Sequence, residues 1–237
     1  MHQFTPVELS LATVREYQES LDAFPQWANL RAGDVKSFQW PWAITRVLRH
    51  VPKGAMILEY GAGDCAVAGP LSRLGYRVTA VDPYEGNDGG PRGFERFKAV
   101  FPDVEFVSEL LSETSPLPHA QYDAVLSVSV LEHVPIPAHA GLAKSIAKWL
   151  KPGGLLIDAI DFTVRGKVLK DFPMIDEVLR LRGVTATAEH LAAQALADPD
   201  TYYLSAAAHR SWRGKRPYDE YPFRQVTSVN VVARLDK

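Results

Sequence analysis

Cysteine is almost absent from this sequence, which has one, Cys65, among 237 residues. A single cysteine cannot form a disulfide within the chain, so a disulfide-stapled fold is excluded and a reducing compartment is expected. The N-terminal segment lacks the basic start and apolar run of a signal peptide, and no stretch approaches the ~20 apolar residues that a membrane helix needs. We therefore expect a cytoplasmic protein without a membrane partner.

An excess of charge of either sign is also lacking, because 26 Lys and Arg residues face 28 Asp and Glu residues, a net charge of −2. Proteins that bind nucleic acid normally present a basic surface, so nucleic acid is not expected as a partner. Hydrophobic residues make up 46% of the chain, enough for a core, and the length fits one large α/β domain better than two. The sequence leaves the oligomeric state open.

The first 52 residues predict helices. Apolar residues over 7–23 recur at roughly helical spacing, with the acidic Glu8 in the first turn. A second helix is predicted from about Pro41 to His50. Five aromatic residues lie between or within these helices: Phe24, Trp27, Phe38, Trp40 and Trp42. We expect residues 1–52 to form a helical lid.

Residues 53–162 alternate short apolar runs with helical segments. Strands are predicted at 55–60, 77–82, 104–107, 123–129 and 155–160, and helices after the first strand, at 92–100 and at 138–150. This alternation predicts parallel βαβ units, and hence a doubly wound, mostly parallel α/β sheet of the Rossmann-like type. The LKPGG sequence before the fifth strand indicates a tight turn with a glycine at positive φ.

Residues 163–237 lose this alternation. Helices are predicted near 173–182 and 187–197, whereas the segment 199–224 is rich in Tyr, Trp, Arg and Pro and has no clear period. Alternating residues at 225–235 predict a last strand, whose polar positions favour an edge or antiparallel place in the sheet. We assign this region and the two before it to a single domain.

A buried strand leads directly into the glycine turn of ILEYGAGDC (57–65). Gly61 and Gly63 allow unusual backbone angles and a close approach of a ligand to the main chain. Asp82 ends the next strand about 20 residues later, the spacing at which an acidic side chain accepts hydrogen bonds from ribose hydroxyls. The alternatives are a glycine turn without a ligand and an aspartate that begins a turn before Pro83. The two signals in register favour a nucleoside ligand.

Four further segments match one known family in order and spacing. They are TAVDPYEG (79–86), VEFVSELL (104–111), YDAVLSVSVLEHVP (122–135) and LKPGGLLIDAI (150–160). With the glycine turn, they make the chain resemble the class I S-adenosylmethionine-dependent methyltransferases. The resemblance implies a seven-stranded sheet with an antiparallel last strand, S-adenosyl-L-methionine as cofactor and S-adenosyl-L-homocysteine as product.

The resemblance also implies which residues surround the cofactor. Glu59 matches the acid that supports the methionine end, and Asp82 matches the ribose ligand. The full set is Glu59, Tyr60, Gly61, Ala62, Gly63, Asp82, Pro83, Leu110, Leu111, Ser127, Val128 and Ser129. Cys65 stands where the family often has a third glycine, and is either a thiol beside the cofactor or a small packing residue. Leu110 stands where an adenine-binding acid is common, so Glu109 or main-chain groups would take that role.

Methyl transfer from a sulfonium is an in-line displacement, which needs alignment and exclusion of water and requires no metal. The sequence leaves open whether a general base is used; for a neutral hydroxyl acceptor the candidate base is His133, because it follows a strand that faces the cofactor and histidine is a common general base. The alternative is that His133 only frames the pocket. Its neighbour Glu132 is expected to be a structural hydrogen-bond partner.

The acceptor is expected to contact parts of the chain outside the shared core. The candidates are Trp40 from the lid and, within 201–224, Trp212, Arg213, Tyr218 and Tyr221. The aromatic rings can enclose a ring or a sugar, and the arginine can bind a phosphate or carboxylate. The alternative is that 201–224 is a solvated cover of the core.

The function that the sequence favours is S-adenosylmethionine-dependent methyl transfer to a small molecule, with O-methylation of a hydroxylated metabolite as the specific expectation. Two alternatives stay open. One is a Rossmann-type NAD(P)-dependent oxidoreductase, although the complete G-x-G-x-x-G pattern is missing. The other is a module that binds S-adenosylmethionine without catalysis.

Overall fold

A computed structural model of the chain describes residues 4–24, 33–86, 90–112, 114–166 and 171–236. Its strands are β1 (Phe4–Leu11), β2 (Met56–Tyr60), β3 (Arg77–Asp82), β4 (Glu105–Ser108), β5 (Tyr122–Val128), β6 (Leu150–Thr163) and β7 (Val226–Leu235). They form one sheet in the order β1-β7-β6-β5-β2-β3-β4. The strands from β2 to β6 pair in parallel, and β7 is antiparallel to β6 and β1. The predicted Rossmann-like sheet with an antiparallel last strand is confirmed.

Helices cover both faces of this sheet. They are α1 (Val14–Ala23), α2 (Lys36–His50), α3 (Ala68–Arg73), α4 (Glu95–Val100), α5 (Ile136–Trp149), α6 (Phe172–Leu181), α7 (Ala188–Ala197) and α8 (Ala206–Arg213). Leu58 of β2 belongs to the apolar cluster that contains Trp149, whereas the adjacent Ile57 belongs to the cluster that contains Trp42. Successive strand residues point to opposite faces, so both faces of β2 are buried under helices. Within the described residues, no helix combines the length and apolar character needed to cross a bilayer.

The N-terminal prediction was wrong for β1, because 7–23 is not one helix. Residues 4–11 form a strand against β7, and only Val14–Ala23 is helical, with the Thr13 hydroxyl accepting from the Glu16 N–H at its start. The strand register shifts between Pro6 and Glu8. This bulge breaks the alternation of apolar residues by which a strand is recognised, and a proline is tolerated because β1 lies at the sheet edge.

The last strand, β7, lies inside the sheet between β6 and β1 and not at its edge. Its polar residues are nevertheless buried, and they bond to one another and to α2. The Ser228 hydroxyl donates to Asn230 Oδ1 at 2.7 Å, and Gln39 Nε2 donates to Ser228 Oγ at 3.0 Å. The polar positions that favoured an edge therefore form a satisfied internal network, since buried polar groups need such partners.

Two helices differ from their predicted positions. α2 begins at Lys36 and contains Pro41 in its interior, so this proline does not mark the helix start as predicted. α8 lies inside the segment whose apolar residues showed no clear period. Ser205 is its N-cap, and the Ser205 hydroxyl accepts a hydrogen bond from the Ala208 N–H. The predicted turn before β6 is present, because Gly153 has φ +77°. Trp27, predicted in the aromatic connection, lies outside the described residues.

Candidate active site

A cavity of about 840 Å³ lies at the carboxyl ends of β2, β3 and β5. Ligands bind at this edge in open parallel sheets, because the loops there diverge and leave a crevice. The residues assigned to the cofactor from the sequence line this cavity, except for Ser127. Those that line it are Glu59, Tyr60, Gly61, Ala62, Gly63, Asp82, Pro83, Leu110, Leu111, Val128 and Ser129.

The glycine turn after β2 requires its two glycines. Gly61 and Gly63 have φ of +64° and +46°, in the left-handed region that disfavours side chains. A Cβ atom on Gly61 would also lie 2.3 Å from Cγ2 of Val130. The turn therefore brings bare main chain to the cavity wall and packs closely against the loop after β5.

Asp82 at the end of β3 holds this turn in place. Its Oδ2 accepts a hydrogen bond from the Gly63 N–H at 3.1 Å, and its Oδ1 accepts from the Tyr84 N–H at 2.8 Å. Each carboxylate oxygen can accept more than one hydrogen bond, so capacity remains for ligand hydroxyls. Asp82 thus has the turn role considered from sequence and also lies on the cavity wall.

Glu59 is a buried carboxyl group within the cavity wall. It is 3% exposed, and its Oε2 accepts a hydrogen bond from the Ala68 N–H at 2.7 Å. Burial raises the pKa of Glu59 to about 8; the Ala68 N–H opposes this rise and Asp82 adds to it. A cationic group in the cavity would favour the ionised form. The residue therefore fits the ammonium end of S-adenosylmethionine.

Cys65 is a packing residue in this arrangement. It is fully buried, does not line the cavity, and has its Sγ 3.8 Å from the Tyr84 hydroxyl. Burial, followed by the charge of Glu59, raises the pKa of the thiol to about 12, so the reactive thiolate is disfavoured. Its φ of +55° lies in the left-handed region, which favours glycine. The geometry favours the packing interpretation over a thiol beside the cofactor.

Ser127 lies beneath the cavity wall in a buried ion-pair network. Its hydroxyl donates to Asp158 Oδ1 at 2.9 Å, and the Tyr60 hydroxyl donates to the same oxygen at 3.0 Å. Arg182 Nε donates to Asp158 Oδ2 at 3.0 Å, and both charged side chains are fully or almost fully buried. This network joins β2, β5 and β6 and fixes the Tyr60 ring, which does line the cavity.

The residues that were expected near the adenine also line the cavity. Leu110 is 79% exposed, and Glu109, Leu111 and Ser112 lie beside it on the cavity wall. Glu109, which was expected to replace the missing adenine-binding acid unless main-chain groups do so, lines the cavity, and its role stays a prediction.

The residues assigned to the acceptor are not brought together. Trp40 lines the cavity, but Trp212, Arg213, Tyr218 and Tyr221 do not. α8 turns Arg213 back toward its own C-terminal turn, where Nη1 donates to the Arg216 carbonyl, and Tyr218 is 60% exposed. Tyr221 is buried, and Trp212 Nε1 is 3.4 Å from Asp34 Oδ2.

Sequence reasoning missed two parts of the cavity wall. One is Lys36 on α2; the other is the side of α5 that presents Ala138, Leu142 and Ser145. Lys36 had no sequence signal, because the helix was predicted to begin five residues later. The small residues of α5 were visible in the sequence as a run of Ala and Gly. His133 lines the cavity mouth and is exposed.

Residues 58–158 match the family model of the methyltransferase domain. Over this stretch the chain is similar to the methyltransferase domain. The chain is 34% identical to the ubiquinone biosynthesis O-methyltransferase of Xanthomonas oryzae pv. oryzae, over 59% of each chain. It spans about half the length of the curated relatives it matches.

Two solved structures share the fold of this chain. One is the 1,6-didemethyltoxoflavin-N1-methyltransferase of Burkholderia thailandensis with bound 1,6-didemethyltoxoflavin and S-adenosylhomocysteine. Its TM-score is 0.54 at 18% identity, and the match covers 100% of this chain and 96% of that one. The other is the [4+2]-cyclase SpnF, with a TM-score of 0.54 at 17% identity over 98% and 99% of the two chains. At such identities these likenesses establish the fold alone.

Proposed function

We propose that this chain binds S-adenosylmethionine in the cavity and transfers its methyl group to the hydroxyl of a small molecule. The observation that supports this most directly is the convergence of Glu59, the Gly61–Gly63 turn and Asp82 on one cavity wall. An acid for an ammonium group, bare main chain and an acid for ribose hydroxyls are the groups that this cofactor needs. The name of the curated relative, an O-methyltransferase, supports the choice of oxygen as acceptor.

Each of these residues has a distinct task in the proposal. Asp82 accepts hydrogen bonds from the ribose hydroxyls while it continues to bind the Gly63 and Tyr84 N–H groups. Glu59, ionised by the incoming positive charge, holds the methionine end. Glu109 and Leu111 flank the adenine, and the exposed Leu110 covers it from the solvent side.

The protein contributes alignment and a dry site. When bound, S-adenosylmethionine supplies an electrophilic methyl carbon on a sulfonium. The cavity walls formed by Trp40, Val130 and α5 hold the acceptor on the far side of that carbon and exclude water. Fixing two reactants in line removes most of the entropy cost of the encounter, and exclusion of water prevents competing hydrolysis.

Titration with S-adenosylhomocysteine by calorimetry tests the cofactor site. We expect binding, with a rise in melting temperature through ligand linkage. The Asp82→Ala variant should lose about 1.5–3 kcal/mol of binding free energy, because Asp82 is a charged hydrogen-bond acceptor. Asp103→Ala changes an exposed aspartate outside the cavity and should bind as the wild type does. Absence of binding to the wild-type protein at millimolar concentration would refute the proposal.

Methyl transfer itself is tested with labelled S-adenosylmethionine and a panel of hydroxylated aromatics and sugars. The likeness to a [4+2]-cyclase makes binding without methyl transfer the competing function, since the same fold hosts another chemistry. Labelled product from a hydroxylated compound supports O-methylation. Cofactor binding with no product from any acceptor would favour the competing function.

A further inference from the structure

Ser129 belongs to a polar cluster at the wall of the cavity. It lines the cavity directly after β5, and its Oγ lies 2.7 Å from Gln39 Oε1 of α2 and 2.9 Å from Asp161 Oδ1 of β6. Gln39 Nε2 donates to the same Asp161 oxygen at 2.9 Å. We call Ser129, Gln39 and Asp161 the Ser129 cluster. It joins β6 and the residue after β5 to α2.

The single hydrogen of the Ser129 hydroxyl is directed into this cluster. A serine hydroxyl can donate one hydrogen bond and accept two. Both oxygens within hydrogen-bonding distance of Ser129 Oγ belong to the cluster, so its hydrogen points at Gln39 or at Asp161. Turning the Gln39 amide over puts its nitrogen beside Ser129 and leaves Asp161 as the partner of that hydrogen. In each arrangement Ser129 can accept a hydrogen bond from the cavity, whereas its own hydrogen is already used.

Asp161 is suited to the second short contact of Ser129. When Ser129 donates to Gln39, a hydrogen on Asp161 Oδ1 bridges the remaining 2.9 Å. Burial raises the pKa of Asp161, and the hydrogen bonds from Ser129 and Gln39 oppose this rise. A raised pKa favours the protonated carboxyl that supplies this hydrogen. One lone pair of the Ser129 oxygen then remains for a ligand.

The backbone at Ser129 is held in an uncommon conformation. Its φ is +51°, in the left-handed region, and its N–H donates to the Ala159 carbonyl at 2.9 Å. Residues other than glycine at such angles carry a cost in free energy, and they concentrate at functional sites where the surrounding contacts hold them. Ser129 is therefore fixed twice, by its main-chain hydrogen bond to β6 and by the side-chain contacts of the cluster.

Ser129 lies between the residues assigned to the cofactor and those assigned to the acceptor. The next residue, Val130, packs against the glycine turn, since a Cβ atom on Gly61 would lie 2.3 Å from its Cγ2. On the other side, Gln39 of the cluster directly precedes Trp40, which lines the cavity. In the proposed function Val130 and Trp40 hold the acceptor beside the methyl carbon. The Ser129 cluster therefore adjoins both of these residues.

Glu132, three residues further on, does not share this position. It does not line the cavity, and both of its carboxylate oxygens are enclosed by protein without a hydrogen-bond partner from another described residue. The structural hydrogen bond expected from sequence is therefore not observed in the described part of the chain. Between Val128 and Pro135 the polar residues that line the cavity are Ser129 and His133. His133 is exposed at the mouth, so the partly buried Ser129 is the better shielded from water.

We propose that the hydroxyl to be methylated donates a hydrogen bond to Ser129 Oγ, and that this contact makes the site prefer a free hydroxyl over its methyl ether. This inference rests on the proposed function. It assigns to the acceptor the side chain of a residue that the sequence placed near the cofactor. With its hydrogen directed at Ser129, the acceptor oxygen keeps a lone pair for the methyl carbon. Gln39 and Asp161 act through Ser129 as positioning residues.

Methylation removes the feature that Ser129 recognises. The methyl ether has no hydrogen to donate, so its oxygen would face the Ser129 oxygen with no hydrogen between them. A polar group that loses its partner in a site shielded from water weakens binding. The site is therefore expected to bind the product more weakly than the acceptor, which limits inhibition by the product.

The test measures dissociation constants on protein loaded with S-adenosylhomocysteine, on which no transfer can occur. The ligands are catechol or glucose, whichever the wild type methylates, or else a methylated compound of the hydroxylated panel, and the methyl ether isolated from that reaction. The wild type should bind the acceptor about tenfold or more tightly than its ether, whereas in Ser129→Ala the two constants should lie within about threefold. Ser20→Ala removes a hydroxyl that donates to the Glu16 carbonyl within α1, and it should keep the wild-type ratio.

Two analogues of the acceptor test the same contact on the wild-type protein. Fluorine in place of the hydroxyl that is methylated cannot donate a hydrogen bond, and it should weaken binding by about tenfold. An amino group at the same place can donate, and it should keep the affinity within about threefold. These measurements decide the question even if Ser129→Ala does not fold.

The outcomes separate the inference from the function on which it rests. A ratio in Ser129→Ala equal to that of the wild type, or equal affinity for the fluoro and amino analogues, would overturn the inference and leave the function standing. So would a loss of S-adenosylhomocysteine affinity in Ser129→Ala as large as the loss of acceptor affinity, because the Ser129 hydroxyl would then contact the cofactor. No methylation of either probe, or of the wider hydroxylated panel, would overturn the proposed function and the inference with it.

Discussion

At the scale of single residues, the site contains a buried carboxyl group whose ionised form burial disfavours and a cationic ligand would favour. Glu59 has its pKa raised from 4.5 to about 8, chiefly by burial. Because the folded protein then holds a proton that the unfolded chain releases, stability of the ligand-free protein should fall as pH rises from about 4.5 to about 8. A cation that pairs with Glu59 would reverse this penalty.

We expect S-adenosylhomocysteine to release protons when it binds at pH 7, because its ammonium group favours the ionised form of Glu59. Calorimetry in buffers of different ionisation enthalpy measures the release. Glu59→Gln should abolish this part of the release and weaken binding, yet raise the melting temperature of the ligand-free protein at pH 8. Proton release that is the same in the variant and the wild type would contradict the assignment of Glu59.

At the scale of elements, α8 changes the expectation for the acceptor. Arg213 was assigned to the acceptor from sequence, but its guanidinium donates to the Arg216 carbonyl, just after the end of α8. We therefore expect Arg213→Ala to leave kcat and acceptor KM within about twofold of the wild type, a change of under ~0.5 kcal/mol. Steady-state kinetics with the acceptor found in the screen measures both. A tenfold rise in the acceptor KM of Arg213→Ala would show instead that Arg213 contacts the acceptor.

The strand β2, which is buried on both faces, could be predicted from sequence, whereas β1 and the first turn of α2 could not. β2 is an apolar run followed by a glycine turn, and both its strand and its cavity position were predicted. The bulge at Pro6 removed the pattern of β1, and Pro41 hid the start of α2. For the same reason Lys36, in the missed first turn of α2, was absent from the predicted site.

The charge environment of Glu132 was equally beyond sequence reasoning. Its neighbours Asp161 and Lys36 come from β6 and α2, which only the folded sheet brings together. By contrast, Asp82 could be predicted, because its spacing from Gly61 is a property of one βαβ unit. Local spacing was therefore enough to predict the residues at the ends of β2 and β3 that line the cavity, whereas the surroundings of Glu132 depend on long-range packing.

At the scale of the whole molecule, Arg46 connects the N-terminal elements to the sheet. It is 4% exposed; Nε donates to Glu8 Oε1 of β1 at 2.9 Å, and Nη2 donates to Glu16 Oε1 of α1 at 2.5 Å. Removing one member of a buried ion pair leaves the partners uncompensated. We expect Arg46→Met to lower the free energy of unfolding by about 3 kcal/mol in urea titrations.

Arg180→Met is the matched control, because Arg180 pairs with Glu177 on the surface of α6 and its side chain is 64% exposed. This change should lower the free energy of unfolding by less than about 1 kcal/mol, since exposed ion pairs contribute little to stability. Equal losses in the two variants would show that Arg46 is no more than a surface charge.

The pairing of β1 with β7 affects the order in which the strands of the sheet can assemble during synthesis. Phe4 pairs with Leu235, so β1 is synthesised before the other six strands of the sheet but finds its partner only when β7 has emerged from the ribosome. Until then β1 has no place in the sheet, and closing so long a loop slows its docking. The parallel strands β2 to β6, with the cofactor cavity, can assemble earlier on the nascent chain. Sealing of the sheet by β1 would then be the final step of folding.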